Sequence, residues 1–152
     1  MTEDYPHREL AGFEATARCM EQVAEEGDHF VVLLLEGELA ATIAGEDIGG
    51  PNQECDPALA NSLSGMNGIS VLAADADGTD GGKGSAVDPA GAYVFRTSIE
   101  RARALGLDPA LFLVRNDSSS FSEAPSDLPV PGPTYTNVND FRAIVVDNIG
   151  VS

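Results

Sequence analysis

The chain has 152 residues, 43% of them hydrophobic, and sets 25 acidic against 8 basic side chains for a formal charge of −17. That size and composition predict a single globular domain, residues 1–152, that buries about two-thirds of the surface its unfolded chain exposes. So negative a surface repels phosphate backbones and anionic lipid heads, which excludes nucleic acid and membrane surfaces as partners.

From Glu9 to Glu26 the apolar residues Leu10, Phe13, Ala17, Met20 and Val23 recur at helical spacing until Gly27 stops the pattern, predicting an amphipathic helix with an acidic outer face. "FVVLLL" (Phe30 to Leu35) reads as a fully buried strand, and "LAATIA" (Leu39 to Ala44) as its hairpin partner after the turn at Glu36 and Gly37. A short helix fits Asn52 to Leu63 with Pro57 in its first turn, and "ISVLAA" (Ile69 to Ala74) is a second buried strand. "AYVF" (Ala92 to Phe95) is a short strand. Thr97 to Leu105 is a helix capped by Thr97 or Ser98 and ended by Gly106. "LDPALFLVR" reads as a further helix with Asp108 as N-cap and Pro109 in its first position. Residues 116–139 carry Pro125, Pro129, Pro131 and Pro133 and are expected to be mostly loop with one short strand, before "FRAIVV" (Phe141 to Val146) closes the sheet. Helices alternating with buried strands predict an α/β fold, and the hairpin makes its sheet mixed, with helices on its faces.

The N-terminus, "MTEDYPHREL", lacks the apolar core of a signal peptide, and the longest apolar run is too short to span a bilayer, so a cytoplasmic location is expected. Cys19 and Cys55 read as small buried hydrophobes, and with only His7 and His29 available a zinc site is poorly supported. Seven of the eight basic residues are arginine, and Lys83 is the one lysine. Self-repulsion at this charge is relieved by salt, whose screening length falls from about 10 Å at 0.1 M to about 3 Å at 1 M, which points to a halophile's cytosol.

The segment "DADGTDGGKGSAVDPAG" (Asp75 to Gly91) follows directly on a predicted strand. An EF-hand register from Asp75 puts Asp80 where glycine is needed and Ala86 where an acid is needed; a register from Asp77 leaves Gly81 at a ligand position. A phosphate loop fails too, because Lys83 is followed by Gly84 rather than by a hydroxyl residue. What stands out is position: ligands in α/β sheets lie beyond the carboxyl ends of strands, where hard cations and phosphates use one or two carboxylates. Asp77 and Asp80 are placed for that role, or belong to a solvated acidic turn. "NDSSSF" (Asn116 to Phe121) is a second polar loop. "GPTYTNVND" (Gly132 to Asp140) is a third, whose small donors and acceptors suit a polyhydroxy acid or phosphate, or arise as Asx and hydroxyl turns.

Six stretches in order, "GGPNQE" (Gly49 to Glu54), "DGTDG" (Asp77 to Gly81), "AGA" (Ala90 to Ala92), "RARALGLDP" (Arg101 to Pro109), "NDS" (Asn116 to Ser118) and "GPTYTNVND", resemble the MOFRL domain. That domain is the C-terminal half of glycerate kinases, a family that also carries hydroxypyruvate reductase names, and the resemblance covers about residues 11–150. It implies a cleft shared with a larger N-terminal domain, ATP with magnesium as phosphoryl donor, and D-glycerate as acceptor. Carried onto this chain, the implied substrate- and nucleotide-binding positions are Glu38, Asn52, Gln53, Asp77, Thr79, Asp80, Asn116, Asp117, Thr134, Thr136, Asn137 and Asn139, with Asp77 and Asp80 as metal ligands. No counterpart of the family's N-terminal kinase domain is expected within these residues. Pro51 stands where the family pattern has arginine, "LEGEL" keeps Gly37 and Glu38 but loses the family turn's hydroxyls, Tyr135 replaces a glycine, and the acidic loop is enlarged around Lys83. Together these departures predict no turnover by this chain alone. They leave a split kinase needing a separate N-terminal partner, or a binding or structural module; an orphaned apolar interface also predicts self-association into a homo-oligomer.

Overall fold

The computed structural model describes residues 17–18, 22, 30–36, 50, 52–53, 59, 63, 66–81, 85–108, 111, 120–121 and 126–147. Among them are four strands, β1 (Val31–Glu36), β2 (Ile69–Asp75), β3 (Gly91–Phe95) and β4 (Asp140–Val146), and the helix α1 (Ser98–Ala104). The strands form one sheet in the order β1-β4-β2-β3. The predicted α/β domain is present. Every pairing between described strands is antiparallel, and the connection after β2 folds back as a long hairpin to β3. The predicted strand at 39–44, on which a mixed sheet depended, lies outside the described residues.

Alternation along the strands sorts side chains onto two faces. One face is the core: Ile144 and Val146 on β4 pair across β2 with Val71 and Ile69, and all four are nearly fully buried. Burial of each such side chain is worth about 1.5–3 kcal/mol. Helical residues pack on this same face. Ala17 is fully buried while Arg18 and Gln22 are exposed, as an amphipathic helix requires; Leu59, Ile99, Ala102 and Phe121 complete the cluster. Asn52, Gln53 and Leu59 are helical, and the Leu63 amide donates to the Leu59 carbonyl, in line with the predicted helix there.

One reading of the sequence needs correction. β1 is not a fully buried strand but one with a single face covered, and among the described strands it lies at the end of the sheet: Val31, Leu33 and Leu35 are half-buried, whereas Phe30 is 67% and Leu34 72% exposed. A continuous apolar run cannot distinguish a strand covered on both faces from one awaiting a cover. Thr97 is the N-cap of α1, one of the two residues expected there, without a side-chain capping bond; the Ser98 hydroxyl accepts from the Phe95 amide and Arg101 Nη2 and donates to Asp127. Ser120 and Phe121 are helical, and residues 126–139 hold no strand. Instead the Tyr93 and Ala90 amides donate to the Asp127 and Pro129 carbonyls, so this proline-bearing segment covers the free edge of β3. Asp127, 1% exposed, is held there by Arg101, whose Nη2 lies 2.7 Å from each carboxylate oxygen. Among the described residues no helix is long and apolar enough to cross a membrane.

Candidate functional site

The carboxyl end of β2 and the amino end of β4 meet in the register pair Asp75↔Asp140, so the loops leaving those strands emerge side by side. Aspartates organise the first loop. Asp75 Oδ1 accepts from the Asp77 amide at 3.0 Å and Asp77 Oδ1 from the Thr79 amide at 2.9 Å, two successive Asx turns. Gly78 has φ +97, and a Cβ there would lie 2.2 Å from the Gly132 carbonyl oxygen, so the backbones of the first and third loops approach as only glycine permits. Two amide bonds, Thr134 N to Asp77 O and Ala76 N to Asn139 O, join those loops, and the Thr134 hydroxyl donates to the Ala76 carbonyl.

Asp80 turns the other way, inward. Its Oδ1 accepts from the Asn52 amide and from Asn52 Nδ2, both at 3.2 Å, and its Oδ2 accepts from the Gln53 amide at 2.8 Å. Gln53 Nε2 returns a bond to the Asp80 carbonyl, and Asn52 Nδ2 also reaches Asp140 Oδ1 at 2.6 Å. Gly50 is forced by the same contact, since a Cβ would fall 2.2 Å from Asp80 Oδ1. Burial raises the Asp80 carboxyl to about 6, and the Gln53 and Asn52 donors only partly oppose that rise. Asp75 is raised as well, first by burial, with Asp77 and Asp140 adding like-charge repulsion.

On the outer side of this braced rim is a cleft of about 430 Å³ lined by Asp77, Gly78, Thr79, Ser85, Pro133, Tyr135, Thr136 and Asn137. The Thr79 hydroxyl is buried and without a hydrogen-bond partner. Hydroxyls, an amide and one carboxylate suit a polyhydroxy acid or phosphate by hydrogen bonding, and no cationic side chain is among the described lining residues. Asp77 has one carboxylate oxygen outside the Asx turn, and magnesium commonly uses one or two carboxylates and completes its shell with water and phosphate. Asp80 faces the interior instead, its oxygens accepting from the Asn52 and Gln53 amides. No group of three or more His, Cys, Asp or Glu that could hold a metal ion occurs among the described residues.

Of the positions implied by resemblance, Asp77, Thr79, Thr136 and Asn137 line the cleft; Thr134 and Asn139 tie its loops together; Asn52, Gln53 and Asp80 are the buried brace behind it. Glu38, Asn116 and Asp117 lie outside the described residues, as do Pro51 and Lys83. Sequence reasoning counted Asp140 among the polar groups of the third loop but not in the brace, which its bond to Asn52 completes, and it missed Ser85, through which the enlarged loop reaches the cleft. Asp140 was signalled by its position where the polar loop meets the last strand; nothing in the sequence signalled Ser85. Tyr135 adopts φ +60, the left-handed region glycine prefers, and its side chain is 98% exposed.

Residues 31–140 match the model of the MOFRL family. The chain belongs to the MOFRL family. A relative from Agrobacterium vitis, provisionally named a hydroxypyruvate reductase, is 43% identical over 117 residues, 76% of this chain and 26% of that protein. The D-glycerate 2-kinase of Thermotoga maritima is 38% identical over 108 residues, 71% of this chain and 25% of its own length. A crystal structure of glycerate kinase from Thermotoga maritima superposes with a TM-score of 0.78 at 30% identity, covering 90% of this chain and 33% of that one. The chain thus spans about a quarter to a third of the relatives it matches, and it is related in sequence and fold to the glycerate kinases.

Proposed function

We propose that this MOFRL chain forms one wall of a glycerate kinase cleft and transfers no phosphoryl group without the other wall. The observation that carries the reading is the rim: two loops fused by backbone bonds, backed by the Asp80 brace, and presenting Asp77, Thr79, Thr136 and Asn137 to a common cavity. Phosphoryl transfer asks a protein mainly to position groups and neutralise charge. Here the Thr136 and Asn137 side chains and the Thr79 hydroxyl orient D-glycerate or phosphate oxygens, and Asp77 would hold magnesium. The metal, when bound with ATP, supplies the neutralisation of phosphate charge that an acidic wall lacks. The missing positive groups come from an N-terminal domain, encoded in the same polypeptide or a separate one, in the cytoplasm of a salt-adapted cell.

A second reading, a binding module without transfer even when complemented, is favoured by Tyr135, whose exposed ring stands at the mouth of the cleft on a backbone suited to glycine. Amide chemical shifts of the lone chain titrated with D-glycerate and magnesium-ATP test the wall itself. Shifts confined to residues 77–79 and 134–137 are expected, with no ADP released. Shifts elsewhere, or none at millimolar ligand, would refute the assignment.

A further inference from the structure

The second face of the sheet is unlike the outside of a solvated antiparallel sheet, which alternates apolar-in with polar-out. Row by row across the sheet it presents Val32, Val145, Ser70 and Phe95, then Leu34, Ala143, Leu72 and Tyr93. In a chain of charge −17 the only acid on this face among the described residues is Glu36, at its corner.

Its relief is uneven. The inner strands β4 and β2 set Ala143, Val145, Ser70 and Leu72 as a half-buried floor. The outer strands raise walls: on one side Leu34, 72% exposed, with Phe30 before it; on the other Phe95, 39% exposed, stacked on Tyr93 at 5.7 Å between centroids. Arg101 lies 6.0 Å over the Phe95 ring and is itself fixed by the buried Asp127, so that wall is buttressed. Phe141 closes the trough at the cleft end, in the row of Glu36 and Ala74. The walls stand three strand spacings apart, about 14 Å, and the strands run about 17–23 Å, which fits the girth and length of a helix of about three to four turns. Two copies placed face to face would meet at their walls and leave the floors unfilled, against the close packing that stable interiors require.

We propose that this trough is the seat of one amphipathic helix, about three to four turns long, supplied by the portion of the kinase outside the matched region, in the same polypeptide or a companion chain. The relatives carry ample sequence for it, since the matched region is only 25% of the Thermotoga maritima enzyme. The helix lays an apolar stripe between the Leu34 and Phe95 walls over Ala143 and Ser70. The trough thus seats this helix, while the cleft at the end of the sheet holds ligand.

Labelled peptides tiling the unmatched portion of the Thermotoga maritima enzyme, titrated into this chain in about 2 M KCl, test the proposal by polarisation and circular dichroism. At least one peptide is expected to bind and gain helix, with affinity falling about tenfold or more in Leu34→Asp and in Ala143→Glu. Leu34 is exposed enough for its variant to fold, which a thermal melt verifies. The proposal is overturned if no peptide outbinds its scrambled control, if binding brings no helix or ignores both substitutions, or if the wild-type chain is a dimer that Leu34→Asp dissociates. Phosphoryl transfer is not read, so the outcome is independent of the cleft's function.

Discussion

Replacing Asp80 by alanine tests the brace behind the cleft. The change orphans the buried Asn52 amide outright; the Gln53 amide keeps the Gly50 carbonyl at 3.1 Å and Asn52 Nδ2 keeps Asp140. One buried donor left unsatisfied, with the loss of a charge-assisted bond, costs about 2 kcal/mol at about pH 7.5. The same carboxyl makes the cost depend on pH. Its folded pKa is raised from 3.8 to about 6, so the folded state binds the proton more tightly than the unfolded one. Stability from this group is therefore greatest below pH 3.8 and declines as pH rises towards 6, above which the full charge-burial penalty applies. Acidifying the wild type from about pH 7.5 to about pH 5 should recover roughly 1.4 kcal/mol through Asp80. The alanine variant lacks that gain, so its deficit widens to about 3 kcal/mol at the lower pH. Urea unfolding at both values in high KCl measures the difference. A variant with the full wild-type pH slope, or a deficit that narrows on acidification, would refute the reasoning.

Tyr135→Gly relieves a left-handed backbone and removes no packing, because the ring is 98% exposed; after the added flexibility of glycine a gain of about 0.5–1 kcal/mol is expected in a urea titration. Gly78→Ala drives a methyl towards the Gly132 carbonyl at positive φ and should cost about 3 kcal/mol or more, with the melt of the 132–139 loop, followed by hydrogen exchange, preceding that of the sheet. The melting temperature should climb between about 0.1 M and 2 M KCl and then flatten as 17 excess negative charges are screened; a flat profile would remove the halophilic reading.

Much of the scaffold was legible because its signals are local. β2, β3 and β4 appeared within a residue or two of their predicted bounds, as β-branched or apolar runs ended by glycine, aspartate or asparagine. β1 was found but misread, because burial on both faces is decided by what covers a strand. The cleft residues Asp77, Thr79, Thr136 and Asn137 came from motifs whose loops the register of β2 and β4 does bring together. What the motifs could not separate was Asp77 from Asp80. Both are aspartates three residues apart in one glycine-rich loop, yet Asx turns aim one at the cleft while the amides of Asn52 and Gln53 draw the other into the interior. Such a division of labour depends on contacts across 27 residues of chain, beyond the reach of local spacing.

The central claim, that this chain is one wall of a kinase cleft, meets its most direct test in ADP release from magnesium-ATP with D-glycerate in molar KCl. The chain is assayed alone and mixed with a separately expressed N-terminal portion of a glycerate kinase relative. Silence from the chain alone and turnover in the mixture, lost again on Asp77→Asn, are the predicted results. Turnover by the lone chain, or a mixture no more active than the N-terminal portion by itself, would contradict the account.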